Sequence, residues 1–132
     1  VWEVQHLLEA VTPQTRLVSV GWVNSETGAI QPVLELQAVL AERYPDVLLH
    51  VDAAQAWGKL PISVSQFLAR PKGRVALTAS GHKVGALGGV GWIWTSPGTR
   101  LSPLLVGTQE RGLRGGTENL LGVATLGWAA QE

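Results

Sequence analysis

Neither cysteine nor methionine occurs among the 132 residues of this chain, and tyrosine and phenylalanine occur once each. Without cysteine there is no disulfide framework and no zinc–thiolate site, which fits a reducing compartment. Charge is scarce too: only 15% of residues are charged, and ten basic residues balance ten acidic ones. A balanced surface offers no field for nucleic acid or for an anionic membrane, so neither is expected as a partner. No apolar run reaches the length of a membrane span and no signal-peptide pattern opens the chain, so a cytoplasmic protein is expected. Valine stands at the first position, and Gln131-Glu132 fall inside a helical pattern. Both ends are therefore expected to be cuts in a longer chain.

What the chain does have is apolar mass. Hydrophobic residues make up 45%, six of them tryptophans, enough for one well-buried domain. Apolar residues at positions 4, 7, 8 and 11 mark one face of a helix over Trp2 to Ala10, and Thr12-Pro13 breaks it. Arg16 to Val23 reads as a strand buried on both faces. After the loop Asn24 to Gly28, a helix opens at Pro32 with Val33, Leu36, Val39 and Leu40 as its stripe. A second buried strand, Val47 to Val51, ends at Asp52. A short helix is expected over Ser63 to Leu68, a basic loop over Arg70 to Arg74, and a third strand over Val75 to Ala79. Gly89 to Thr95 is a further strand, Leu101 to Val106 reads as extended, and a last helix starts near Glu118. Alternating strands and helices predict an α/β fold: a mainly parallel sheet flanked by helices on both faces.

In such sheets ligands sit beyond the carboxyl ends of the strands. Asn24, Ser25, Asp52, Gln55, Ser80, His82 and Lys83 all fall just past a predicted strand end. Each has an ordinary reading: Asp52 as a cap for the following segment, His82 as a loop residue, Gln55 as polar filler, Lys83 as a solvated lysine. Together their roles are complementary. A strand-end lysine, desolvated, is a nucleophile for an aldehyde, and a carboxylate on the neighbouring strand can keep a pyridine nitrogen protonated. Ser80 and His82 can hold a phosphate beside glycine-rich backbone, and Gln55 can donate to a phenolic oxygen. That combination points to pyridoxal phosphate, with Lys83 as the catalytic residue. The glycine-rich stretch Gly85 to Gly91 lacks the G-x-x-x-x-G-K-[ST] pattern of a nucleotide loop. His6, His50 and His82 show no metal-ligand spacing, so no metal is expected. Ser80, His82 and Asp52 lack the strand-turn-helix elbow of a hydrolytic triad.

Four segments carry a resemblance: Val23-Asn24-Ser25-Glu26-Thr27-Gly28, His50-Val51-Asp52-Ala53-Ala54-Gln55, Ser80-Gly81-His82-Lys83, and the long loop Gln109 to Asn119. In that order they resemble the cysteine desulfurases of the NifS/IscS-like kind, within class V aminotransferases of the pyridoxal-phosphate-dependent fold type I. The resemblance implies that Lys83 forms the Schiff base with the cofactor, Asp52 pairs with its ring nitrogen, Gln55 meets its phenolic oxygen, and Ser80 and His82 hold its phosphate. It further implies a homodimer in which Thr117 reaches the phosphate of the partner subunit, with L-cysteine as substrate and a sulfur-acceptor or scaffold protein as partner. Asn24 and Ser25 fall where the family often has two asparagines near the ring, with Ser25 at the usual contact position. The Arg70 to Arg74 loop is longer than is usual between the family's aspartate and lysine motifs. Residues 1–132 would then be a central fragment of the large domain, lacking the N-terminal part and the C-terminal small domain. The persulfide cysteine and the arginine for the substrate carboxylate would lie in that missing small domain. The alternatives are another class V enzyme (an aminotransferase, a selenocysteine lyase or a kynureninase-like hydrolase) and a cofactor-free dimerisation module.

Overall fold

The computed structural model describes residues 1–69 and 73–131. In order they form α1 (Val4–Glu9), β1 (Leu17–Gly21), α2 (Val33–Arg43), β2 (Leu48–Asp52), α3 (Ser65–Leu68), β3 (Arg74–Ser80), a 3₁₀ turn (Gly81–Val84), β4 (Gly91–Thr95), α4 (Gln109–Gly112, a single turn interrupted by non-helical angles at Glu110 and Arg111) and α5 (Leu120–Ala129). The strands make one sheet in the order β1-β2-β3-β4. The first three run parallel and β4 returns antiparallel. Of the predicted basic loop, Arg70, Pro71 and Lys72 lie outside the described residues.

Side chains alternate across a strand, so each strand divides its residues between two faces. On one face, Leu49 and Val51 of β2 and Val75 and Leu77 of β3 are buried, with Val18 and Val20 of β1 and Trp92 and Trp94 of β4 packed beside them. Val4 and Leu8 of α1, Val33, Leu36 and Leu40 of α2, and Phe67 of α3 close over that face. Phe67 meets Trp22 edge to face, with ring centroids 5.5 Å apart. Trp57 and Trp92 repeat the arrangement at 5.2 Å. Such T-shaped pairs suit the opposite signs of ring edge and ring face.

The opposite face is different, and here the sequence reading is corrected. β1 is not buried on both sides: Leu17 is 54% exposed and Ser19 is exposed as well. Ile93 of β4, on the same face, is 52% exposed. The helices of the buried cluster, α1 to α3, gather on one side of the sheet. The other side carries a polar chain across three strands. Ser19 Oγ lies 2.7 Å from His50 Nδ1, and His50 Nε2 lies 2.9 Å from Thr78 Oγ1. The predicted extended run Leu101 to Val106 is no strand: it has no regular structure, and Leu104, Leu105 and Val106 are exposed.

Phe67 is fully buried. Phe67→Ala is therefore expected to lower unfolding free energy by about 3–5 kcal/mol, read as a shifted denaturant midpoint at constant slope. A loss below about 1 kcal/mol would show that the Trp22–Phe67 contact is not part of a close-packed core.

Candidate active site at the carboxyl ends of the strands

The register sets the site. Asp52, the last residue of β2, is aligned with Gly21 on one side and Thr78 on the other. Its backbone continues the pairing, since Ala53 N–H donates to Thr78 O at 2.7 Å and Trp22 N–H donates to Asp52 O at 2.9 Å. Asp52 lies on the polar face, two residues beyond His50. One carboxylate oxygen, Oδ1, accepts from Ala54 N–H at 2.9 Å. The capping role expected of an aspartate here is therefore realised, and among the described residues no donor reaches Oδ2.

After Asp52 the chain winds into helical turns. Trp57 N–H donates to Ala53 O, and Leu60 N–H to Ala56 O. Residues four apart in such turns share a side. Gln55 and Lys59 do so, and Lys59 Nζ donates to Gln55 Oε1 at 2.8 Å. Among the described residues the Gln55 amide nitrogen meets no acceptor, so both of its hydrogens can serve others.

β3 delivers the second group. Beyond Ser80 the chain closes a 3₁₀ turn whose ends are tied by Gly81 N–H to Val90 O at 2.9 Å and Ala86 N–H to Gly81 O at 3.1 Å. Ser80 Oγ and His82 Nδ1 lie 2.9 Å apart. His82 and Lys83 are exposed, so the desolvation expected of Lys83 is not supplied by the described residues, which leave this side of the sheet open. Gly81 is buried, and a methyl group there would come within 2.9 Å of Val90 Cγ2 and 3.1 Å of Leu126 Cδ1. Its lack of a side chain lets α5 press against the turn that carries Lys83.

The remaining predicted residues lie on two further loops. Asn24 Oδ1 accepts from Glu26 N–H, Thr27 N–H and Thr27 Oγ1–H at 3.0, 2.9 and 3.1 Å. Its oxygen is used to close its own loop, and only its amide nitrogen is available outward. Ser25 is exposed on the same loop. Thr117 is exposed in the long loop, and among the described residues no hydrogen bond joins it to Asp52, Gln55, Ser80, His82 or Lys83. That loop is conformationally costly. Glu110 and Arg111 adopt left-handed backbone angles, φ 48° and 60°, which cost about 1–2 kcal/mol each in residues other than glycine. Gly115 runs so close to Val106 that an added Cβ would lie 2.5 Å from the Val106 carbonyl oxygen.

As a donor set, the strand ends offer a primary amine, a carboxylate with one free oxygen, an amide NH₂, and a hydroxyl–imidazole pair. These suit an aldehyde, a protonated ring nitrogen, a phenolate oxygen and a phosphate, and so fit pyridoxal phosphate. A cleft of about 490 Å³ lies at the opposite, amino end of the strands, lined by Arg16, Tyr44, Asp46 and Arg74 among others. Two of its guanidiniums, those of Arg16 and Arg74, are engaged within the chain. Arg16 Nη1 donates to Pro13 O at 2.8 Å, and Arg74 Nη2 pairs with Asp46 Oδ1 at 3.5 Å. Sequence reasoning missed two features of the site. The Gln55–Lys59 spacing of four was a readable signal for the amide's partner. The Ser19–His50–Thr78 chain had none, because it depends on the register of three strands.

The sequence profile of the family described as aminotransferase class-V matches residues 1–131. A cysteine desulfurase of Gluconacetobacter diazotrophicus is 44% identical over 123 residues, covering 92% of this chain and 29% of that protein. Among solved structures, SspA in complex with cysteine superposes with a TM-score of 0.86 at 35% identity, over 99% of this chain and 37% of that one. A NifS-like protein superposes equally well, 0.86 at 34% identity, over 98% of this chain and 34% of that one. The chain thus spans about three-tenths of the length of the curated relatives it matches.

Because the clash at Gly115 is with backbone, Gly115→Ala is expected to displace the loop from Val106 to Thr117. Hydrogen exchange should report it, as at least a tenfold loss of protection at Leu113 and Arg114, whose N–H groups donate to Glu110 O and Gln109 O, with β2 and β3 unchanged. Unaltered exchange in the loop would show that the close approach is not needed.

Proposed function

The chain belongs to the aminotransferase class-V family, and on that premise we propose that the protein carrying it is a pyridoxal-phosphate-dependent cysteine desulfurase. It would convert L-cysteine to L-alanine and pass the sulfur to an enzyme thiol as a persulfide. The observation that carries the reading is the parallel register of β2 and β3, which brings Asp52 and the Ser80–Lys83 turn to adjacent strand ends. The donor set there matches the cofactor group by group. The relative from Gluconacetobacter diazotrophicus is a cysteine desulfurase, and the SspA structure was solved with cysteine bound. Both support L-cysteine as the substrate.

In this reading residues 1–132 are part of the large, cofactor-binding domain. Aminotransferase class-V enzymes depend on pyridoxal phosphate, and the cofactor supplies an electron-withdrawing ring next to the substrate's α-carbon. The chain's own residues do the rest. Lys83 Nζ holds the cofactor covalently and later carries a proton to and from the substrate carbon. Asp52 Oδ2 accepts the ring N–H, and its position is fixed because Oδ1 is already held by Ala54 N–H. Ser80 Oγ and His82 bind the phosphate, and the Gln55 amide nitrogen donates to the phenolic oxygen. Asn24 and Ser25 line the neighbouring strand end. Thr117, outside the group formed by one chain, would serve the phosphate of a second subunit in a homodimer.

Atoms balance simply: the Cβ–S bond of L-cysteine breaks, one sulfur atom joins an enzyme thiol, and L-alanine leaves. This chain has no cysteine. The thiol would therefore come from elsewhere in the longer protein, and the sulfur would pass on to an acceptor or scaffold protein.

The full-length protein mixed with pyridoxal phosphate is expected to show a visible absorption band and to release alanine from L-cysteine. Lys83→Ala should remove the lysine-linked band and lower alanine release roughly a thousandfold. A band and rate unchanged in that variant would refute the assignment of the lysine. A full-length protein that binds the cofactor and transaminates, yet frees no sulfur, would be another member of the family.

A further inference from the structure

We propose that Lys59 is a positioning residue: it fixes which way the Gln55 amide faces and so makes Gln55 a dedicated hydrogen-bond donor to the cofactor's phenolic oxygen. The proposal rests on the reading of Asp52, Gln55 and Lys83 as cofactor residues and adds a part that those residues do not account for.

A glutamine amide has an oxygen that only accepts and a nitrogen that only donates, in nearly the same shape. An exposed glutamine can present either. An ammonium group has donors and no acceptor, so it can engage only the oxygen. Lys59 Nζ does this at 2.8 Å. The orientation of Gln55 then follows: Oε1 is taken, and Nε2 with both its hydrogens must face elsewhere. The reversed amide would set an oxygen against an anionic ring oxygen, a repulsion in place of a bond. An ammonium on the carbonyl also polarises the amide and strengthens its N–H groups as donors.

The backbone supports this assignment. Bonds from Trp57 N–H to Ala53 O and from Leu60 N–H to Ala56 O wind the segment after β2 into helical turns. Those turns, anchored by the buried Ala53 and Ala56, bring positions 55 and 59 to one side. Lys59 is exposed and Gln55 is half-buried, so the lysine can be replaced without opening a cavity. The titratable groups of the two strand-end segments are Asp52, Lys59, His82 and Lys83, with His50 one pleat back on the same face. Among the described residues, Lys59 is the hydrogen-bond partner of the Gln55 amide.

The test is a pH titration of the visible band in the full-length holoenzyme. A weaker donor at the phenolic oxygen leaves more negative charge there, so the proton at Lys83 Nζ is held to higher pH. Lys59→Met is expected to raise the midpoint by about half a pH unit, the share of one hydrogen bond. Lys59→Arg, which keeps a donor on the amide oxygen, should return it to the parent value. Gln55→Ala should raise the midpoint at least as far, and Lys59→Met should add nothing in that background. A parent midpoint in Lys59→Met overturns the proposal. So does a Lys59→Met shift that persists in full beside Gln55→Ala, because the lysine would then act by its charge alone. If Lys83→Ala leaves the band intact, the cofactor reading fails and this proposal with it, a result distinct from either of the others.

Discussion

Parallel pairing of β1, β2 and β3 is the constraint on which the rest of the structure depends. Parallel strands point their carboxyl ends the same way, so the segments that follow them emerge side by side at one edge of the sheet. Gly21, Asp52 and Thr78 stand on one line because of that pairing. The loop with Asn24, the turns with Gln55 and the turn with Lys83 then become neighbours although about thirty residues separate each from the next. An antiparallel arrangement of the same strands would send alternate loops to opposite ends and disperse the group.

The second consequence of the sheet is the division of its faces. Alternation gives the inward positions to Val18, Val20, Leu49, Val51, Val75 and Leu77, and the outward ones to Ser19, His50 and Thr78. The polar residues do not sit independently. Both nitrogens of the His50 ring are bonded to hydroxyls on the flanking strands, which ties all three strands together one pleat before Asp52. A buried apolar face and a hydrogen-bonded polar face thus hold the same strand ends from two sides.

Much of the polar chemistry beyond the strands is spent on shaping the loops themselves. Asn24 closes its loop with its own oxygen, Asp52 caps Ala54, Ser80 meets His82, and Lys59 engages Gln55. For Asn24, Asp52 and Gln55 one polar atom is used locally, and among the described residues the other has no hydrogen-bond partner. This is how short exposed segments hold side chains in place without burial. The loop before Thr117 uses a different means, two left-handed residues and a glycine packed against backbone.

Most of the elements, and the residues at the strand ends, were legible in the sequence, because apolar periodicity and the placement of Asp52, Ser80 and Lys83 are local patterns. The four motif segments also carried the family, which residues 1–131 match. What the sequence did not contain is anything that depends on how strands are placed beside one another. The reading of β1 as buried on both faces failed at Leu17 and Ser19, since whether a face is covered depends on which helices pack there. The extended reading of Leu101 to Val106 failed for a related reason: apolar residues form a strand only where a neighbour offers backbone bonds. His50, which lacks metal-ligand spacing in the sequence, is the centre of a three-strand chain once the register is known. Local periodicity is written in neighbouring residues, and so the sequence by itself determined the elements and their order. Register, face coverage and the meeting of distant side chains are set by packing across the whole sheet, and only the tertiary structure decided them.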